Sequence, residues 1–274
     1  MRLGPSSAGP SPAGAPPADA SAAAAAALSA SGGLGAGLRL PGPVPASIMI
    51  IGDSGMFDVS AALGALYHQL GTSTVVNASW PGFGLTRDPA GWHRDWPTLV
   101  ADNHPQVIFA MLGGWDLGWI TAHGVAAYEI VLADAAGVLG AGGARIVWLG
   151  VPPGGHAQPG LLDPIFERFA AAHPATSLYA DPALALRALD GLVPRWLPGD
   201  DGRLVLARKP DGWHFCADGA VKVARLAAAA AADRGWAAEA VGGWEQGSWR
   251  IDHRFDDPKG GCDPAAAGNA PPTA

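Results

Sequence analysis

The chain has 274 residues, and its 39 Gly and 25 Pro make up close to a quarter of it, near the ~25–30% at which low-complexity sequence becomes the expectation. Charged residues are only 15%, and 17 Lys and Arg against 24 Asp and Glu give a net charge of −7. That balance excludes a strongly basic nucleic-acid groove, and two cysteines exclude a disulfide scaffold and a Cys-rich zinc site.

Residues 1–45 are almost entirely Ala, Pro, Gly and Ser. Such a segment cannot bury enough apolar area to offset chain entropy, so it is expected to be a disordered leader. Its uncharged stretch Ala20–Leu38 approaches the length of a membrane span, but Ala, Gly and Ser make a poor hydrocarbon-facing surface. As a signal peptide it is equally weak, because Pro and Gly crowd the region after Arg2.

At Ser47 the pattern changes. Residues 47–51 (SIMII) read as a buried strand, followed by Gly52-Asp53-Ser54-Gly55 and a helix over 59–71. A second strand is expected at 73–77, then a Trp-, Pro- and Gly-rich loop and a helix over 91–103. The third strand, 106–112, runs into Gly113-Gly114-Trp115-Asp116. A long helix over 122–140 and a fourth strand at 144–151 follow. The next helix covers 163–173, with Asp163 as N-cap and Pro164 at its first position. A fifth strand at 176–180 and a final helix over 218–233 complete the pattern. Strands apolar on both faces, alternating with helices, specify a parallel sheet covered on both sides. The expected domain spans 46–236, with a tail of 237–274 whose first half, carrying Trp244, Trp249 and Phe255, packs onto it.

In an open parallel sheet ligands bind at the carboxyl ends of the strands, and four sequence features fall there or just ahead of a helix. Ser54 lies at a strand-to-helix turn, where a helix N-terminus favours a developing anion; Asp53 and Ser54 are also ordinary capping residues. Asp211 and His214, in Pro210-Asp211-Gly212-Trp213-His214, are three apart, so one turn can set a carboxylate on one ring nitrogen and leave the other for a nucleophile. Gly82, within Pro81-Gly82-Phe83-Gly84, and the Gly113–Asp116 block could bring backbone donors close to a ligand; each alone also reads as a simple turn.

The order of these four blocks resembles the SGNH (GDSL-type) hydrolase family, and the resemblance covers nearly all of 46–236. It implies a three-layer α/β/α, flavodoxin-like fold with a central parallel sheet. It also implies Ser54 as nucleophile, His214 as general base, Asp211 as its orienting carboxylate, and the backbone N–H groups of Ser54 and Gly82 as an oxyanion hole. The family's third block usually reads Gly-x-Asn-Asp; here Trp115 replaces the Asn, and its indole N–H is the one donor it offers in exchange. The block DGWHF, the loop PGFGL and the tail WRIDHRFDDPKGGCDP look like SGNH domains attached to bacterial membrane acyltransferases that modify surface polysaccharides.

The expected activity is therefore that of a serine esterase or O-acyltransferase acting on acyl, foremost acetyl, esters of carbohydrate. The expected substrate is a small-molecule or polysaccharide acyl ester. No nucleic acid, cofactor or metal is expected, while association with a membrane acyltransferase and an extracytoplasmic or cell-surface location follow from the resemblance. Asp53, Trp80, Trp115, Asp116 and Trp213 are the candidate substrate-binding residues. With Trp92, Trp96 and Trp119, those Trp rings could stack on sugars or pack in the core. The rival reading is a glycan-binding domain of the same fold without turnover. Cys216 and Cys262 fit either one bridge or two unrelated thiols.

Overall fold

The computed structural model describes residues 42–152, 159–187, 194–265 and 267. The expected leader lies outside the described residues as far as residue 41. Strands β1 (Ser47–Gly52), β2 (Thr74–Ser79), β3 (Val107–Met111), β4 (Arg145–Leu149) and β5 (Ser177–Ala180) form one sheet in the order β2-β1-β3-β4-β5, with every neighbouring pair parallel. This is the flavodoxin-like order, and its crevice lies where the order reverses, between β1 and β3.

Alternation along the central strands explains why the sheet is covered twice. Ile48 and Ile50 face one core with Val107 and Phe109, while Met49 and Ile51 face the other with Ile108 and Ala110. The first core is closed by α1 (Ser54–Leu70) and α7 (Ala217–Asp233), the second by α2 (Pro89–Asn103), α4 (Val125–Gly140) and α5 (Asp163–Ala172). On α7, Ala220, Ala224, Ala227, Ala228 and Ala231 are fully buried. Small side chains let this helix lie close against its neighbours, and a Cβ at Gly219 would collide with the carbonyl oxygen of Ala207.

Three elements differ from expectation. α1 begins at Ser54, five residues early, because Asp53 stands in extended backbone as its N-cap and accepts from the Gly55 N–H at 3.0 Å. The helix expected over 122–140 is two: α3 (Leu117–His123) ends at Gly124, whose φ of +89° breaks the ladder before α4. Asp163 is the first residue of α5 rather than its N-cap; its carboxyl is turned to the Tyr179 hydroxyl and the Val151 N–H. Burial pushes that carboxyl up to about 6 against those hydrogen bonds.

Three further elements lie between β5 and α7 among the described residues. α6 (Ala183–Leu186) is a single turn, and β6 (Trp196–Pro198) pairs antiparallel with β7 (Leu204–Leu206). The chain after α7 folds back over the first core, burying Trp236, Trp244 and Phe255. A disulfide joins Cys216, at the start of α7, to Cys262.

Candidate active site

The first strand stops where it does because of Gly52. A Cβ there would collide with the carbonyl oxygen of Met111 on β3, and that same oxygen accepts from the Asp53 N–H at 3.1 Å. The chain then turns into α1 with Ser54 as its first residue, half-buried, at the crossover of β1 and β3. Its N–H belongs to the first turn, where helix amides lack intrahelical acceptors and carry the positive end of the dipole.

Asp53, beside it, is 3% exposed. Burial pushes its carboxyl up to about 7, opposed by the Gly55 N–H and by His214, and reinforced by Asp116. Its carboxylate is directed at the helix amide and toward Gly114. Asp53, expected at the substrate, is buried and caps the helix through one carboxylate oxygen.

The loop after β2 brings Gly82 to the same edge. The Trp80 N–H donates to Gly52 O at 3.1 Å, and Gly82 has φ of +86°, with open space where a side chain would stand. Asp116 holds this loop from the other side. Its carboxylate accepts from the N–H groups of Leu85 (3.1 Å) and Thr86 (2.9 Å), the Thr86 hydroxyl (2.5 Å) and the Tyr128 hydroxyl (3.0 Å). Asp116, expected at the substrate, is fully buried and braces the loop.

The turn ahead of α7 carries Asp211 and His214. The Lys209 N–H donates to His214 O at 2.9 Å and the Gly212 N–H to Lys209 O at 3.0 Å. Buried Arg208 donates from Nη1 to Gly212 O at 2.5 Å. Within this turn Asp211 Oδ1 accepts from the N–H groups of Trp213 and His214, at 2.9 and 3.0 Å, and Oδ2 lies 2.5 Å from His214 Nδ1. Partial burial disfavours the Asp211 carboxylate, but the bonds from His214 and the two amides outweigh it and hold the group below its usual range. An ionised Asp211 accepts from Nδ1–H, which leaves Nε2 as the basic nitrogen.

Ser54, Gly82, Trp115, Asp211 and His214 border one cleft of about 460 Å³, which His253, Arg254, Asp257 and Pro258 of the tail also line. Trp115 is 50% exposed, with the Arg87 guanidinium 4.4 Å above its ring. The other tryptophans are elsewhere. Trp92 and Trp96 are core residues, Trp119 stacks on His123, and Trp80 packs edge-on against Phe83. Trp213 leans on the second core beside Gly114. Of the six tryptophans expected around the site, Trp115 lines the cleft, while Trp80, although exposed, is outside its lining.

Sequence reasoning missed Asp58, Lys209 and the tail residues that line the cleft. The one available signal was Asp58 itself, a carboxylate one helical turn from Ser54 on an otherwise apolar face.

A model for a family described as "Protein of unknown function (DUF459)" matches residues 47–230. No curated protein matches the sequence. Among solved structures, the periplasmic domain of a lipopolysaccharide acetyltransferase from Salmonella ser. Paratyphi A is similar at 15% identity. The match covers 66% of this chain and 81% of that one, with a TM-score of 0.50. A putative acylhydrolase from Bacteroides fragilis is similar at 13% identity, over 73% of this chain and 93% of that one, also at 0.50. These likenesses show the fold, which is that of SGNH hydrolases.

Proposed function

The chain belongs to the DUF459 family, and from the residues gathered at its cleft we propose that it is a serine esterase or O-acyltransferase working through an acyl-enzyme. One observation carries the reading: His214, hydrogen-bonded through Nδ1 to Asp211, borders the same cleft as a serine at the first position of a helix. In this mechanism Ser54 Oγ attacks the ester carbonyl carbon and its proton passes to His214 Nε2. The oxyanion so formed takes hydrogen bonds from the N–H groups of Ser54 and Gly82 and from the Trp115 indole. Collapse breaks the ester C–O bond, and the departing alkoxide takes the proton back from Nε2. Water or a sugar hydroxyl then gives its proton to Nε2 and attacks the acyl carbon, and Ser54 Oγ leaves reprotonated.

Hydrolysis and transfer share the first half of this cycle, so the acceptor decides between them. A carbohydrate acceptor is supported by the exposed face of Trp115 in the cleft, since an aromatic ring offers a stacking surface to the apolar side of a sugar. Disulfides persist in oxidising compartments, so the Cys216–Cys262 bridge supports a site of action outside the cytosol. Among the described residues no helix is long and apolar enough to cross a membrane. Association with a membrane acyltransferase is the partner this reading implies, and co-purification from membranes tests it.

Labelling with a fluorophosphonate, followed by mass spectrometry, tests the core of the proposal. The expected adduct is on Ser54 and is absent from Ser54→Ala. Adding an oligosaccharide with an acyl donor and looking for acylated sugar separates transfer from hydrolysis. An unlabelled wild type that still binds the oligosaccharide would establish the glycan-binding reading instead.

A further inference from the structure

Asp58 lies one turn beyond Ser54 on α1, and the i, i+4 spacing puts both on the same helix face. Its carboxylate is 1% exposed. Oδ1 accepts from Lys209 Nζ at 3.0 Å, and Oδ2 accepts from the backbone N–H of Phe215 at 2.9 Å. Phe215 immediately follows His214, and the Lys209 N–H donates to His214 O. The nucleophile helix is thus joined to the turn bearing the imidazole on both sides of that imidazole. The tail completes the join. Lys209 Nζ also donates to Arg254 O, and Arg254 Nη1 donates to Phe57 O and Ser60 Oγ, each at 2.7 Å.

A buried ion pair is a weak source of stability, because desolvation offsets much of its attraction and apolar residues of similar volume often do as well. The arrangement supplies something an apolar pair could not: a directed bond from α1 to the amide next to His214. We infer that Asp58 is a positioning residue, with Lys209 as its counter-ion, that sets the His214 imidazole against the Ser54 hydroxyl by holding the Phe215 amide to α1. The inference rests on the esterase reading of the cleft.

The test compares Asp58→Asn/Lys209→Met with Asp58→Leu/Lys209→Met. Neither variant leaves an unpaired buried charge, the main reason a single substitution here would fail to fold. They differ in whether an oxygen still faces the Phe215 N–H. Rates on p-nitrophenyl acetate are counted per fluorophosphonate-titratable site, so an unfolded fraction does not enter. The Asn variant is expected to keep a kcat near wild type, and the Leu variant to lose roughly 10- to 100-fold in kcat at unchanged KM, the scale of a slightly misplaced catalytic group. Equal kcat in the two variants, or an effect confined to KM, overturns the positioning role alone. A wild type inert to both ester and fluorophosphonate overturns the esterase reading and this inference with it.

Discussion

Asp116 accepts from both the amide and the hydroxyl of Thr86, thirty residues earlier, at 2.9 and 2.5 Å. The loop that carries Gly82 is therefore braced on one side by a buried carboxylate, which also satisfies Leu85 N–H and the Tyr128 hydroxyl. Asp116→Ala strands these donors, and an unsatisfied buried donor costs about 1–3 kcal/mol. A loss of at least ~3 kcal/mol in denaturant unfolding is expected, with kcat falling as the Gly82 N–H drifts. Unchanged stability would show that the loop is held by other contacts.

Trp115 stands where an Asn donor is usual in the resembling family. If its indole N–H meets the oxyanion, Trp115→Phe keeps the ring and Arg87 stacking but loses about 10²-fold in kcat. Trp115→Asn, which offers an amide donor, is expected to retain more activity than Trp115→Phe. Steady-state kinetics on one ester decides this, and full turnover in Trp115→Phe removes the donor role.

The Asp53 carboxyl rises from 3.8 to about 7 mainly through burial. A carboxyl whose folded value exceeds its unfolded one binds its proton more tightly in the native state. Stability is therefore lost as pH rises from about 4 to about 7, and the penalty, of order 4 kcal/mol, is complete above that window. Asn caps helices as well as Asp, so Asp53→Asn is expected to raise Tm at pH 8 and leave it nearly unchanged at pH 4. Thermal melts at the two pH values measure it; equal shifts at both would contradict the burial argument.

The Cys216–Cys262 bridge closes a separation of 46 residues, for which the chain-entropy model gives about 4 kcal/mol. It also anchors the segment whose Arg254 and Pro258 border the cleft. Cys262→Ser is expected to lower stability by ~2–4 kcal/mol and to lower kcat, since Arg254 of that segment is bonded to Lys209 and to α1. Equilibrium unfolding and initial rates, each with and without reductant, check both parts.

Much of this was legible in the sequence because the central strands are apolar on both faces and their helices are punctuated by Gly and Pro. The sequence pointed to Ser54, Asp211 and His214, which border one cleft, because Ser54 follows a strand end and the other two lie in a turn shortly before a helix. The legibility fails where the signal is short or spatial. β6 and β7 are three residues each, too brief for a two-residue period to register. Gly124 breaks a helix through a backbone angle that its neighbours' hydropathy does not reveal. Asp58 and Lys209 are 151 residues apart, and no local pattern links a lone helical carboxylate to a lysine in a distant turn. Asp116 misled because its position in a site motif resembles that of a ligand-facing residue, while its oxygens are consumed by the neighbouring loop.

Arg254 grips the carbonyl of Phe57 across 197 residues of sequence. On the ribosome, Ser54 emerges early, yet the tail residues that line its cleft are translated only after all five strands of the sheet. The nascent chain can thus assemble its sheet well before the cleft is complete, so a product ending ahead of His253 would lack part of the lining around Ser54.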